Sequence, residues 1–443
     1  MHMNFVKEEA KIIPQCRLRL LDLFKILNSD SFNFLCSLSD EPVCQYKLGW
    51  QKIIFVNDPH IAEHILKDNI ANYPKDNFYN MIEHVIGKNI LTTNDLDYWN
   101  EHRKLMAGLF HHQSIQNMFD DINQTAQNYI NVIQAQKRIN MNQFCTSMTL
   151  EVITKLMFGS NIGQGQIEQL AHHIDYFTNL LVNQRKLWAL PFIPKLSSKF
   201  NRRQKEFNST LMNIMSNCQG LDTDNFITRM QQHLNQQNHA LFSSKELISE
   251  AALILFAGHE TTATALMWTL ITLSKFPSIR QQIREEINQV CHDGLVTMEH
   301  LMKMPLLDHL IKEVLRLYPP FPAVPRVCLQ TDEVMGYTIP AKATVILNIA
   351  GIHRNPDYWS EPHSFDPERF VEKLPHKFSF LPFLNGPRIC IGLNLAMLEL
   401  KAMLVNLLQN FDLDLLPGEE PQPKHVVSLQ TQSPVFMSIT NLI

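Results

Sequence analysis

Cys390 lies in Phe383-Leu384-Asn385-Gly386-Pro387-Arg388-Ile389-Cys390-Ile391-Gly392, a stretch of the form FxxGxRxCxG. It opens onto the apolar run Leu393-Asn394-Leu395-Ala396-Met397-Leu398. A thiol binds a metal as the thiolate, and a helix N-terminus stabilises one with unpaired N–H groups and partial positive charge. Gly386 and Gly392 permit the tight turns that aim amides at the sulfur. Gly392 and Ala396, four apart, give the helix a small-residue face that can lie against a flat ring system. Arg388 adds a cation suited to a carboxylate. A buried core cysteine ahead of a helix needs none of these neighbours, and four matched positions argue for a ligand.

A second stretch sets polar chemistry inside an apolar helix: Leu253-Ile254-Leu255-Phe256-Ala257-Gly258-His259-Glu260-Thr261-Thr262. Glycine in a helix interior costs roughly 1 kcal/mol relative to alanine, and β-branched threonines add to that. Such a breach of local rules invites a functional reason. Threonine hydroxyls that bond back to carbonyls would open the helix and leave a groove for a small ligand. An ordinary buried helix with back-bonded threonines fits the same letters.

Glu313 and Arg316 stand one helical turn apart, a pair worth about 0.2–0.5 kcal/mol when solvated. Leu317-Tyr318-Pro319-Pro320 follows them, and later Phe365-Asp366-Pro367-Glu368-Arg369-Phe370. Trp99 and Arg103, in Trp99-Asn100-Glu101-His102-Arg103-Lys104, sit four apart on one helix face. Each pair alone is weak. Taken in order from Trp99 to Ala396, with the cysteine loop, they make the chain resemble the cytochrome P450 family. One departure is Leu384, where many members carry a small or polar residue.

The resemblance implies a mainly α fold with a small β region, the haem lying between the kinked long helix and the helix of the cysteine loop. Cys390 would be the axial ligand of a haem b iron, with Phe383 in the same cofactor loop. Thr261 would orient dioxygen and Glu260 would relay protons, as general acid chemistry at oxygen requires. Glu313, Arg316 and Arg369 would form a buried network that pins the loop below the haem. Trp99, Arg103, Arg326 and Arg388 would meet the propionates, with His102 either assisting or solvated. Ala257 stands where some fatty-acid-oxidising relatives carry a glutamate bonded covalently to haem, so the cofactor is expected to be non-covalent apart from the thiolate–iron bond. Substrate contacts would come from Phe78, Tyr79, Met81, Ile82, Val85, Ile86, Leu253, Ala257, the 321–324 run including Val324, and Leu429; they are mostly apolar and favour a lipophilic substrate.

The reaction implied is insertion of one atom of O2 into an organic C–H or C=C bond. No flavin or iron–sulfur domain follows Ile443, so electrons are expected from a separate ferredoxin, flavodoxin or flavoprotein donor, with Lys104 and Lys401 as docking charges or plain surface charges. Two other readings stay open: a haem-thiolate enzyme that uses or rearranges peroxide, and a non-catalytic haem protein that binds a gas or lipid. The Glu260-Thr261 pair counts against both.

The elements that must position these residues follow from periodicity. Helices are expected at 59–67, 97–107, 114–135, 141–158, 166–182, 198–215, 245–274, 278–290, 305–317 and 392–408. A hairpin is expected across 43–56 around Leu48-Gly49, strands at 334–338 and 343–347, and a long ordered loop over 355–387. The whole is expected to be one domain, 1–443, with its β-rich parts near 40–60 and 330–350. The segment 185–195, with Trp188 and Phe192, reads as an entry lid or as a loop packed on the core.

With 443 residues, 45% of them hydrophobic, the chain can bury a large core. A net charge of −4 gives no footprint for nucleic acid. The eight cysteines are scattered without a CxxC, which argues against zinc and for a reducing compartment. The start Met1-His2-Met3-Asn4 lacks a signal peptide's regions, and no apolar run reaches the roughly 18–20 residues of a membrane span. A cytoplasmic monomer is expected. Gly159, Gly163 and Gly165 read as a turn rather than a nucleotide loop, and the pairs His111-His112 and His172-His173 as surface histidines.

Overall fold

The computed structural model describes residues 11–16, 31–159, 162–185, 198–217, 225–236, 243–292 and 294–442. The expected lid at 186–195 lies outside the described residues. Helices dominate and the sheets are small. By Cα packing the chain forms two compact units.

The first unit comprises Met1–Phe78, Phe321–Phe365 and Glu372–Cys390. Its sheet begins with the expected hairpin, Val43–Leu48 antiparallel to Gln51–Val56, turning at Gly49 with φ +60. Gln51–Val56 then runs parallel to Thr344–Leu347, and Val324–Val327 closes the far edge antiparallel. Ile54, Val56, Val345 and Leu347 are fully buried and pack with Ile61, Ile65, Leu66 and Leu381. A strand across 334–338 does not form. Asp332–Val334 and Tyr337–Ile339 make an antiparallel hairpin there, because Met335 (φ 51) and Gly336 (φ 80) both adopt left-handed backbone. Two such residues are what a tight two-residue turn needs. The helix expected at 59–67 starts at Pro59 under an Asp58 cap and passes into a π turn, His64–Asp68, where Asn69 N–H bonds the His64 carbonyl at 2.8 Å.

The second unit comprises Tyr79–Pro320, Asp366–Val371 and Ile391–Ile443. The helix Met141–Phe158 starts under an Asn140 side-chain cap and stops at Gly159, φ +92. The longest helix, Ser244–Lys275, opens with a capping box between Ser243 and Glu246 and packs along Met141–Phe158. Pro305–Leu317 starts with proline in its first turn, where the missing N–H costs nothing. Leu393–Asn410 follows the cysteine loop with Gly392 at its cap. The single helix expected at 114–135 is two, His112–Gln116 and Phe119–Ile133. No glycine or proline marks that break; buried Ile115, Met118 and Phe119 are accommodated across it. Elements with no counterpart in the sequence reading include the helix Asn77–Ile86, the helix Phe226–Gln236, and a sheet of Arg138–Asn140, Phe436–Asn441 and Phe411–Leu415. Among the described residues no helix is long and apolar enough to cross a membrane.

Candidate functional site

In the first unit the cysteine loop is a tight turn closed on itself. Cys390 N–H donates to the Phe383 carbonyl at 2.8 Å, and Ile389 N–H to that of Gly386 at 3.1 Å. Leu384 (φ 57) and Gly386 (φ 76) both take left-handed backbone. A Cβ on Gly386 would meet the Leu66 carbonyl oxygen at 2.7 Å, so only glycine fits there. Buried His353 anchors the approach to this turn, its Nε2 accepting Leu381 N–H at 2.7 Å. Among the described cysteines Cys390 alone is exposed; Cys44, Cys145, Cys291 and Cys328 are buried and Cys16 and Cys36 half-buried. Phe383 and Arg388 are half-buried.

Arg326 is buried in the strand Val324–Val327, beside buried Val324. Near it, burial pushes the Asp76 carboxyl up to about 7, with Phe78 N–H and the Arg326 charge pulling the other way. Phe78 itself is half-buried. Nothing in the spacing of the sequence ties Asp76 to Arg326.

In the second unit, Trp99 and Arg103 stand one turn apart on Leu96–Leu109 and are both half-buried. His102 between them is not solvated. It is buried, stacks on Tyr98 with ring centroids 3.6 Å apart, and places Nδ1 2.9 Å from Glu250 Oε1. The long helix presents a break in its own burial: Ala257 is exposed, and Phe256, Gly258, Glu260 and Thr261 are half-buried, within an otherwise buried run that includes Leu253. Thr261 Oγ1 donates to the Ala257 carbonyl at 2.7 Å and Thr262 Oγ1 to that of Gly258 at 3.0 Å. Both hydroxyls therefore back-bond, yet the helix runs unbroken from Ser244 to Lys275. Gly258 allows close packing, since a Cβ there would lie 2.9 Å from Ile153 Cγ1.

Glu260 Oε1 accepts from Ser428 Oγ at 2.7 Å and Gln430 Nε2 at 2.9 Å. Those partners lie 168 and 170 residues along the chain, beyond the reach of any local pattern. Leu429 between them is fully buried. Ile82, on the helix Asn77–Ile86, is half-buried.

The structure brings Glu313, Arg316 and Arg369 together. Arg316 Nε and Nη2 donate to Glu313 Oε2 and Oε1, each at 2.7 Å, and Arg369 Nε reaches Oε1 at 3.1 Å. Asp366 N–H adds a fourth bond at 3.0 Å. Glu313 and Arg316 are fully buried, so this is no solvated surface pair. Lys401 is committed to Asp308 at 2.7 Å and is largely covered, which removes it from the exposed charges; Lys104 is exposed.

Among the described residues no group of three or more His, Cys, Asp or Glu side chains could hold a bare metal ion. An iron that brings its own planar ring ligands needs only one protein donor, and the exposed Cys390 thiol on its closed turn fits that demand. The family model for cytochrome P450 matches residues 19–438. This chain belongs to the cytochrome P450 family. It is accordingly a haem-thiolate monooxygenase.

P450 relatives include the protein LUTEIN DEFICIENT 5, chloroplastic, of Arabidopsis thaliana, 26% identical over 401 residues, covering 84% of this chain and 67% of that one. Another is the lithocholate 6-beta-hydroxylase of Mesocricetus auratus, 27% identical over 425 residues, covering 88% and 83%. The crystal structure of the cytochrome P450DA heme domain superimposes with a TM-score of 0.84 and 18% identity, covering 98% of both chains. At that identity the likeness speaks for the P450 fold, mainly helical with small sheets.

Proposed function

We propose that Cys390 is the thiolate ligand of a haem b iron and that dioxygen is the co-substrate, one atom passing to a lipophilic organic substrate. The observation that carries this reading is the exposure of one thiol, alone among the described cysteines, at the end of a turn that only glycine at 386 can close. When bound, the haem supplies dioxygen binding, and donation from the thiolate favours O–O cleavage.

The remaining assignments concern side chains of this chain. Trp99, Arg103, Arg326 and Arg388 hold the propionate carboxylates by charge-assisted hydrogen bonds. Glu313 fixes Arg316 and Arg369, and through Asp366 N–H the start of the chain segment that leads into the cysteine loop. Thr261 orients oxygen and Glu260 holds and releases a proton beside it. Phe78, Ile82, Leu253, Ala257, Val324 and Leu429 form the substrate contacts, and their apolar character favours lipophilic compounds. The name of the hamster relative, a lithocholate hydroxylase, points the same way. Electrons come from a separate ferredoxin, flavodoxin or flavoprotein.

The deciding experiment is the spectrum of the reduced protein under carbon monoxide. A red-shifted Soret band in the native chain, lost in Cys390→Ser with haem still bound, is the expected result; an unchanged spectrum in that variant overturns the reading. Turnover with a reductase and NAD(P)H, set against turnover with peroxide alone, separates the monooxygenase from a peroxide-driven enzyme. The adjacent acid and threonine at 260 and 261 support the former.

A further inference from the structure

The two donors on Glu260 come from one short piece of chain. Ser428 and Gln430 flank Leu429 at the start of the strand Leu429–Thr431, which pairs antiparallel with Pro423–His425. Ser428 lies just ahead of the strand and Gln430 within it, and both polar side chains reach the same carboxylate oxygen. The piece is held independently of Glu260. Trp268 Nε1 donates to the Leu429 carbonyl at 2.8 Å, and Leu429 N–H to that of Pro320 at 2.9 Å. Trp268 is itself buried and stacked on Tyr318, ring centroids 4.3 Å apart and planes 5° from parallel. The backbone that carries the hydroxyl and the amide is therefore held without help from Glu260.

Both bonds fall on Oε1, and no hydrogen bond from a described residue falls on Oε2. When such a carboxyl takes up a proton, the oxygen free of donors is the one that receives it. We infer that Ser428 and Gln430 are positioning residues for the monooxygenase reaction, which clamp Glu260 Oε1 and leave Oε2 as the atom that holds the proton. The inference rests on the reading of Glu260 as proton donor. Oε2–H gives its proton to the reacting oxygen, the carboxylate left behind keeps its two donors on Oε1, and a proton taken up from bulk solvent through water returns to Oε2. Without the clamp the carboxyl turns freely about its side-chain torsions, and proton delivery loses its fixed origin.

The test needs no known substrate. The holoprotein is driven with NADPH through a surrogate ferredoxin and its reductase, and hydrogen peroxide formed per O2 consumed is measured against reduction to water, which requires further protons. The double variant Ser428→Ala, Gln430→Ala is expected to raise the peroxide share at least about fivefold, the scale of one ordinary hydrogen bond lost. Its carbon monoxide spectrum and haem content should stay native, and Ser428→Thr should restore most of the native ratio. Each single variant, Ser428→Ala or Gln430→Met, should show a smaller rise, which keeps the test alive should the double variant misfold. Glu260→Gln separates the two levels of the claim. If Glu260→Gln raises the peroxide share and removal of both donors does not, the clamp is overturned and the proton donor stands. If Glu260→Gln changes nothing, the proton-donor reading fails and the clamp with it.

Discussion

Glu250 Oε1 lies 2.9 Å from His102 Nδ1, and the same oxygen accepts Ile90 N–H at 3.1 Å. This buried contact joins the long helix to the helix of Trp99 and Arg103. Burial pushes the Glu250 carboxyl above its ordinary range, against the pull of His102, and Oε2 has no hydrogen-bond partner. Glu250→Ala would take this acceptor away from buried His102 and the Ile90 amide. The expected cost is about 2–4 kcal/mol, read as a lower thermal midpoint, with Glu250→Gln recovering more than half. Equal midpoints for the alanine variant and the native chain would remove this contact from the account.

Glu399, on the helix after the cysteine loop, is buried, and desolvation raises its carboxyl to about 8 despite a hydrogen bond with the Thr262 side chain. A raised carboxyl favours the folded state while it keeps its proton. Its stabilising contribution is complete below the ordinary carboxylate range, near 4.5, and is lost as pH climbs through about 8. Native stability should therefore fall by on the order of a few kcal/mol between pH 5 and 9 relative to Glu399→Gln. Parallel pH profiles of unfolding for the two proteins would contradict this.

Removing the acid at the centre of the Glu313 network takes from fully buried Arg316 and nearly buried Arg369 the carboxylate they share. Glu313→Ala is expected to cost about 3–5 kcal/mol and to prevent haem incorporation. Pyridine haemochrome assay of the purified variant gives the answer, and normal haem content would refute it.

At Gly386, alanine would need left-handed backbone and a Cβ 2.7 Å from the Leu66 carbonyl oxygen. We expect about 1–3 kcal/mol of strain, relieved by distortion of the turn that carries Cys390. A broadened or lost carbon monoxide band in Gly386→Ala, with far-ultraviolet circular dichroism kept, is the anticipated outcome.

Ala257 offers no carboxylate for an ester to haem. Acidified butanone should extract the cofactor fully, leaving a colourless protein whose mass is that of the polypeptide alone. Retained haem mass would show a covalent link made by some other side chain.

The features legible from the sequence were those in which one short segment carries its whole meaning. Met141–Phe158 and Pro305–Leu317 have the expected bounds because their signals are local: Asn140 and Gly159 flank the first, and Pro305 opens the second. The cysteine turn was readable for the same reason. The segment 334–338 reads as one strand, and the hairpin Asp332–Ile339 forms there instead, because Met335 in left-handed backbone announces itself by no residue type. Ser428 and Gln430 against Glu260, Asp76 near Arg326, and Glu250 on His102 stayed hidden for another reason: each joins segments distant in the chain, and a lone Ser, Gln or Glu has no pattern until the fold supplies its partner.

An exposed cysteine is open to oxidation as well as to coordination. Until iron reaches it, the Cys390 thiol is the one most open to oxidants among the described cysteines, and oxidation past the sulfenic stage would spoil it for good. Cofactor loading is thus a race against damage, and a preparation purified without haem should yield fewer competent molecules the longer it waits in air.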